Sequence, residues 1–117
     1  MEESLIKKVQ PHSQEAERAV IGSMLMDQEA LGSVMEIITK EDFYDTANGI
    51  LFEVMMELYN EAKPNDLVLI QEKLREKDVP PQMLEMEFMR GFLDRVATSV
   101  NVKNYARIVY EKSVLRK

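Results

Sequence analysis

Apolar residues recur at three- and four-residue steps in almost every segment of this chain, and no stretch sustains the two-residue alternation of a strand. The segments are also kept short. Pro11, Pro64 and the Pro80-Pro81 pair interrupt them, and Ser13, Asp27, Thr39, Asp66 and Asn101 stand where helix-capping side chains are wanted. Strong helix formers dominate, while Gly and Pro occur only four times each. At 117 residues the chain buries roughly two thirds of its unfolded surface, enough for one core without staples. The expected fold is all-α: a compact orthogonal bundle of five to six short helices.

The segments follow in order. Ser13 predicts a helix start, with Glu15 and Glu17 in the first turn, where the helix dipole favours acids. Ala16, Ala19, Val20 and Met24 fall inward, and the two alanines allow another helix to approach closely. Asp27 caps a second helix carrying Leu31, Val34, Met35 and Ile38. TKEDFY predicts one helical turn capped by Thr39 and anchored in the core by Phe43 and Tyr44. A third helix over 47–60 turns Ile50, Leu51, Val54, Met55 and Leu58 inward. A fourth follows Asp66, with Leu67, Ile70 and Leu74 inward. The fifth starts at Pro80-Pro81, where proline suits a first turn, and runs to about residue 97 on a Leu84–Phe88–Phe92–Val96 stripe. Asn101 caps the last helix.

Several chemistries are excluded by what is missing. There is no cysteine, so disulfides and thiolate metal sites are ruled out. His12 is the single histidine, and it reads as a solvated helix-entry residue. Four scattered glycines cannot build a phosphate-cradling loop. The acidic pairs lie on polar faces, so no catalytic, metal-binding or cofactor-binding residue is assigned. No apolar run reaches membrane-span length, and the opening MEESLIKKVQ lacks the apolar core of a secretion signal, so a cytoplasmic location is expected. Residues 1–100 carry a net charge of −10 and residues 101–117 one of +4. The acidic body opposes phosphate binding, and a helix–turn–helix over 67–96 would present a net-negative reading helix. The basic last helix leaves one alternative function, a helical nucleic-acid-binding module using Arg107, Lys112 and Arg116.

Two features point to partners. Methionine occurs nine times, and it fills both cores and adaptable binding surfaces. Met83, Met86 and Met89 cannot all share the Leu84–Phe88–Phe92 face, so some should reach a partner-covered surface. The last helix carries a Val102, Tyr105, Ala106, Val109 and Ser113 stripe, with Ile108 and Leu115 on a neighbouring edge and no stop signal after it. Its first half is expected to pack on the body. Its second half is expected to project and to need a partner.

PHSQEAERAVIGSML, EDFY, ILFEVMMEL, PNDLVLIQEKL and NVKNYARIVYEKSVLRK follow one another between Pro11 and Lys117. Together they resemble the N-terminal domain of the DnaB-type replicative DNA helicases. The resemblance implies a non-catalytic collar domain of a ring-shaped hexamer. The ATP- and Mg-dependent motor, with most of the DNA contact, would lie in a part of the parent protein absent from this sequence. It further implies docking of primase and of helicase loaders. Residues 1–10 would then be a flexible arm, 11–100 the globular collar domain, and 101–117 the first arm of a helical hairpin cut within it. Partner-binding positions would be Glu15 and Phe88, with Met83 and Met86 beside them. Oligomerisation would use Tyr105, Ile108, Val109, Lys112 and Leu115. The family often carries His where Asn48 stands and Gly-Gly within the segment here reading LEMEFM. Without those glycines the fifth helix is expected to be longer and more continuous.

Overall fold

A computed structural model of the chain describes residues 10–93 and 101–117. The expectations for the N-terminal arm, and for Val96 and the end of the fifth helix, lie outside the described residues. Among those described, six α-helices and two 3-10 turns surround one core, and there is no strand. The helices are α1 (Gln14–Met26), α2 (Glu29–Met35), α3 (Thr46–Asn60), α4 (Leu67–Arg75), α5 (Met86–Leu93) and α6 (Val102–Arg116). The 3-10 turns are Lys40–Asp42, before α3, and Pro81–Leu84, before α5.

Local chemistry sets most of the starts. The Ser13 hydroxyl accepts from Ala16 N, Asp66 from Val68 N, and Asp27 from Glu29 N. Thr39 and Asp42 form a reciprocal capping box around the first 3-10 turn. Asp45 caps α3 through Ala47 N, which the sequence analysis did not single out. Asn101 precedes α6, but its side chain makes no capping bond there. The chain leaves α3 through Ala62, a non-glycine residue with φ of 61°, and Lys63 N closes the turn on Leu58 O at 2.8 Å.

α1 lies at the centre. Val20, Ile21 and Met24 are fully buried, and α6 packs along α1 more extensively than any other pair of elements does. Ala16 and Ala19 are buried on α1, and Ala106 is buried on α6, so small residues permit the close approach. From α3 come Leu51, Phe52, Val54, Met55 and Leu58, and from α4 Ile70 and Leu74. Phe52 is as buried as its neighbours although the predicted stripe omitted it.

The fifth segment departs from expectation. Residues 81–84 form the 3-10 turn, Glu85 is extended, and α5 starts only at Met86. The expected continuous helix is therefore interrupted at Glu85, between the 3-10 turn and α5. The break rotates Met83, Met89 and Phe92 into the core, while Leu84 and Phe88 are half-buried. Gln71 Nε2 donates to Leu84 O across the break, at 2.5 Å.

Buried polar groups hold the elements in place. Glu17, almost fully buried on α1, accepts from Tyr44 N at 2.7 Å, Asn48 Nδ2 at 3.0 Å and Asp45 N at 3.2 Å. Asp42, also buried, accepts from Thr39 N at 2.8 Å and from Ser113 Oγ at 2.7 Å. Outside, α3 carries an ion-pair ladder. Glu53 pairs with Lys40 and with Lys77, Glu57 with Lys77 and Lys73, and Glu61 with Lys73 and Lys63. Hydrogen bonding from Lys40 holds the Glu53 carboxyl below its ordinary value of 4.5, and Lys73 does the same for Glu61. In return Lys40, Lys73 and Lys77 are raised above 10.5, chiefly by hydrogen bonds to Glu53, Glu61 and Glu57.

Two predictions follow from these groups. Glu17→Ala leaves three donors without their acceptor and should cost about 2–4 kcal/mol, measured by urea unfolding. For the ladder, the lowered carboxyls contribute stability above their unfolded value and lose it as pH falls through the lower folded one. The raised lysines contribute below 10.5 and lose that contribution as pH rises through their folded values. The urea midpoint should therefore be level near neutrality and fall at both extremes. Glu53→Gln/Glu61→Gln should weaken the acid limb, and high salt should shrink the difference between the two proteins.

Candidate partner interface

The partner-binding positions fall on α1 and α5. Glu15 is exposed in the first turn of α1, and Arg18 lies one turn further along the same side. The Arg18 guanidinium sits 4.7 Å from the centroid of the Phe92 ring. Phe92 in turn meets Phe88 edge-on, with centroids 5.4 Å apart. Glu15, Arg18 and half-buried Phe88 thus belong to one surface bridging α1 and α5. Arg18 Nε is buried without a hydrogen-bond partner, so the aromatic face is a principal support of this cation. In the sequence Arg18 is marked only by its three-residue step from Glu15.

Beside this surface opens a cleft of about 640 Å³, lined among the described residues by Gln14, Glu15, Arg18, Ala19 and Tyr105. It brings Glu15 of the predicted partner-binding set next to Tyr105 of the predicted oligomerisation set. Met83 does not belong here. Only 3% of it is exposed, because the 3-10 turn rotates it into the core, and it has no surface to offer a partner. Met86 is half-buried against the core.

The expectation for the last helix is corrected. Its final turns do not project. Val109 is 1% exposed within the domain's own core, so it is removed from the oligomerisation face, and Ser113 is buried on its bond to Asp42. Arg116 donates to Asp42 O at 2.6 Å and Pro11 O at 2.8 Å, and lies 5.5 Å from the Tyr44 ring centroid. Tyr44 is 41% exposed rather than a core anchor, and His12 stacks on it with ring centroids 4.0 Å apart, half-buried rather than free in solvent.

The outer side of α6 is nonetheless not polar throughout. Ile108 (37% exposed) and Leu115 (65%) stand two turns apart on one flank, near half-buried Tyr105 and Lys112. Tyr110 and Val114 stand exposed on the opposite flank, where Lys103, Arg107 and Lys117 also lie. The three cations of the nucleic-acid alternative are therefore dispersed. Arg107 and Lys112 lie on different flanks, and Arg116 is turned inward.

Among the described residues no three His, Cys, Asp or Glu side chains form a metal-binding group. No described helix is long and apolar enough to cross a membrane.

Comparison with known proteins gives a consistent result. Residues 9–111 match the family model described as the DnaB-like helicase N terminal domain. The chain is 37% identical over its whole length to the replicative DNA helicase DnaB of Geobacillus stearothermophilus, covering 26% of that protein. It is 34% identical over 93% of its length to the replicative DNA helicase DnaB of Rhodothermus marinus, covering 12% of that protein. The chain thus spans only 26% and 12% of the lengths of these two relatives. Among solved structures, the N-terminal domain of DnaB helicase from Mycobacterium tuberculosis superposes with a TM-score of 0.87 at 29% identity, over 92% of this chain and 75% of that one. The N-terminal domain of the Helicobacter pylori DnaB helicase, described with its interactions with primase, shares the fold at a TM-score of 0.70 and 23% identity, over 86% and 78% of the two chains. This chain belongs to the DnaB-like helicase N-terminal domain family.

Proposed function

We propose that the chain acts as a non-catalytic collar domain of a hexameric replicative DNA helicase, joining copies into a ring and docking primase or a helicase loader. One observation carries the assembly part of this reading. α6 is anchored in the core yet keeps Ile108 and Leu115 exposed two turns apart on one flank. Exposed apolar side chains at that spacing on a fixed helix suit a second helix laid alongside. The docking part rests on the surface of Glu15, Arg18 and Phe88, where a carboxylate, a cation and an aromatic edge adjoin an open cleft. ATP, Mg and most of the DNA contact would belong to the motor of the parent protein. The separation of Arg107 from Lys112, and the inward turn of Arg116, favour this reading over a nucleic-acid-binding module built on those three.

Assembly is tested by sedimentation of this chain, of Ile108→Asp/Leu115→Asp, and of both sequences within the parent helicase. The variant should self-associate at least about tenfold more weakly and lower the parent's ring content. Unchanged assembly in both settings refutes the role of this flank. Docking is tested by titrating the parent's own primase onto the chain. Glu15→Ala and Phe88→Ala should each weaken binding about tenfold or more, while Glu72→Ala, on the far side of the ladder, should not. Equal affinities for all three would remove α1 and α5 from the primase site.

A further inference from the structure

Two surface features take no part in the contacts assigned above. The first is a groove between the first 3-10 turn and α3. It consists of two hollows, of about 280 and 300 Å³, which meet at the Lys40–Glu53 ion pair. One hollow is floored by Met35, Ile38 and Met56, the other by Phe43 and Ile50. The closeness of the turn to α3 requires Gly49, because a Cβ there would stand 2.9 Å from Lys40 O. Glu41 lies exposed on both hollows, and Glu36 is exposed at the nearby end of α2. The groove is thus apolar within, and its edge carries Glu41 and Glu36 beside the Lys40–Glu53 ion pair. Its methionines are soft enough to adapt to an incoming side chain.

The second feature is the free flank of α6. Lys103, Arg107, Tyr110, Val114 and Lys117 follow at steps of four and three residues, and all are exposed. Tyr110 and Val114 stand one turn apart, about 6 Å along the axis, with a cation a turn before and another just after. Two apolar anchors between cations suit two apolar hollows that have Glu41 and Glu36 at their edge. The net charges of −10 for residues 1–100 and +4 for residues 101–117 have the matching sense.

We infer that this flank of α6 in one copy docks into the groove of a second copy. Tyr110 and Val114 enter the two hollows, and Arg107 and Lys117 face Glu41 and its acidic neighbours. This rests on the self-assembly reading but uses the flank opposite Ile108 and Leu115. The contact is heterologous, because helix and groove are different surfaces.

That asymmetry supplies the test. A helix-side variant, Tyr110→Asp/Val114→Asp, changes only exposed residues. A groove-side variant, Glu41→Lys/Ile50→Lys, reverses an edge charge and fills one hollow with a cation. Sedimentation at low salt, from about 10 μM to about 1 mM, should show weak association of the parent chain and a loss of about tenfold or more in each variant. Mixing the two variants should restore complexes, since each keeps the surface the other lacks. Moderate salt should weaken the parent contact. A parent chain monomeric throughout, a helix-side variant that associates as the parent does, or a mixture no better than its components would each overturn the inference. Should the groove-side variant fail a circular-dichroism melt, the helix-side variant and the exposed single change Glu41→Lys decide the matter by the same sedimentation. Loss of association on changing Ile108 and Leu115, with none on changing Tyr110 and Val114, would assign the contact to the other flank and overturn this one.

Discussion

A buried carboxylate organises this domain. Taking Glu17 out of water costs several kcal/mol unless its oxygens are fully hydrogen-bonded. Its donors come from a stretch 27 to 31 residues later: two backbone amides, of Tyr44 and Asp45, and the side-chain amide of Asn48. Meeting that demand fixes the connection between the first 3-10 turn and α3 against α1. It also leaves Asp45 positioned to cap α3 and Asp42 positioned to receive Ser113 from α6.

The second consequence concerns α6. A helix of this length has little stability alone in water, so its rigidity must come from packing. Val102, Ala106 and Val109 supply the apolar part, and Ser113 and Arg116 extend the attachment to the last turn through Asp42 and Pro11. The helix is thereby held before any partner arrives. A pre-ordered helix loses less conformational freedom on docking than a fraying one, which favours its use as a contact ledge. Its two flanks differ in kind. Ile108 and Leu115 offer plain apolar area, whereas Tyr110 and Val114 are set among cations.

Much of this was legible in the sequence because the relevant forces are local. Ser13 and Asp66 cap helices as expected, and Ile70 and Leu74 face inward, since capping and amphipathic spacing act within a few residues. What was misjudged depends on distant groups. Glu17 looks like a first-turn acid serving the helix dipole, and nothing nearby announces three donors from beyond residue 43. Tyr44 looks like a core aromatic, yet His12 and Arg116 hold it at the surface. Met83 stands beside an already full stripe, and Val109 lies on the half of the last helix expected to project, so each reads as a partner contact. The folded chain supplies an internal neighbour in each case, for Val109 by laying α6 along α1 and for Met83 by breaking the fifth segment at Glu85. Periodicity tells which side of a helix is apolar. It does not tell which tertiary surface will cover that side.

The same limit explains why the candidate interface was only half visible. Glu15 and Phe88 lie 73 positions apart in sequence, and the residue that joins them is Arg18, whose guanidinium rests on Phe92. A cation held over an aromatic ring keeps part of its charge available to an incoming anion while being restrained in position. Tyr105 reaches the same cleft from α6. A ligand seated there therefore touches both the central helix and the helix that carries the apolar flanks. Because Ser113 and Arg116 pin α6, the cleft keeps this geometry before any ligand arrives, and little conformational freedom remains to be lost on binding.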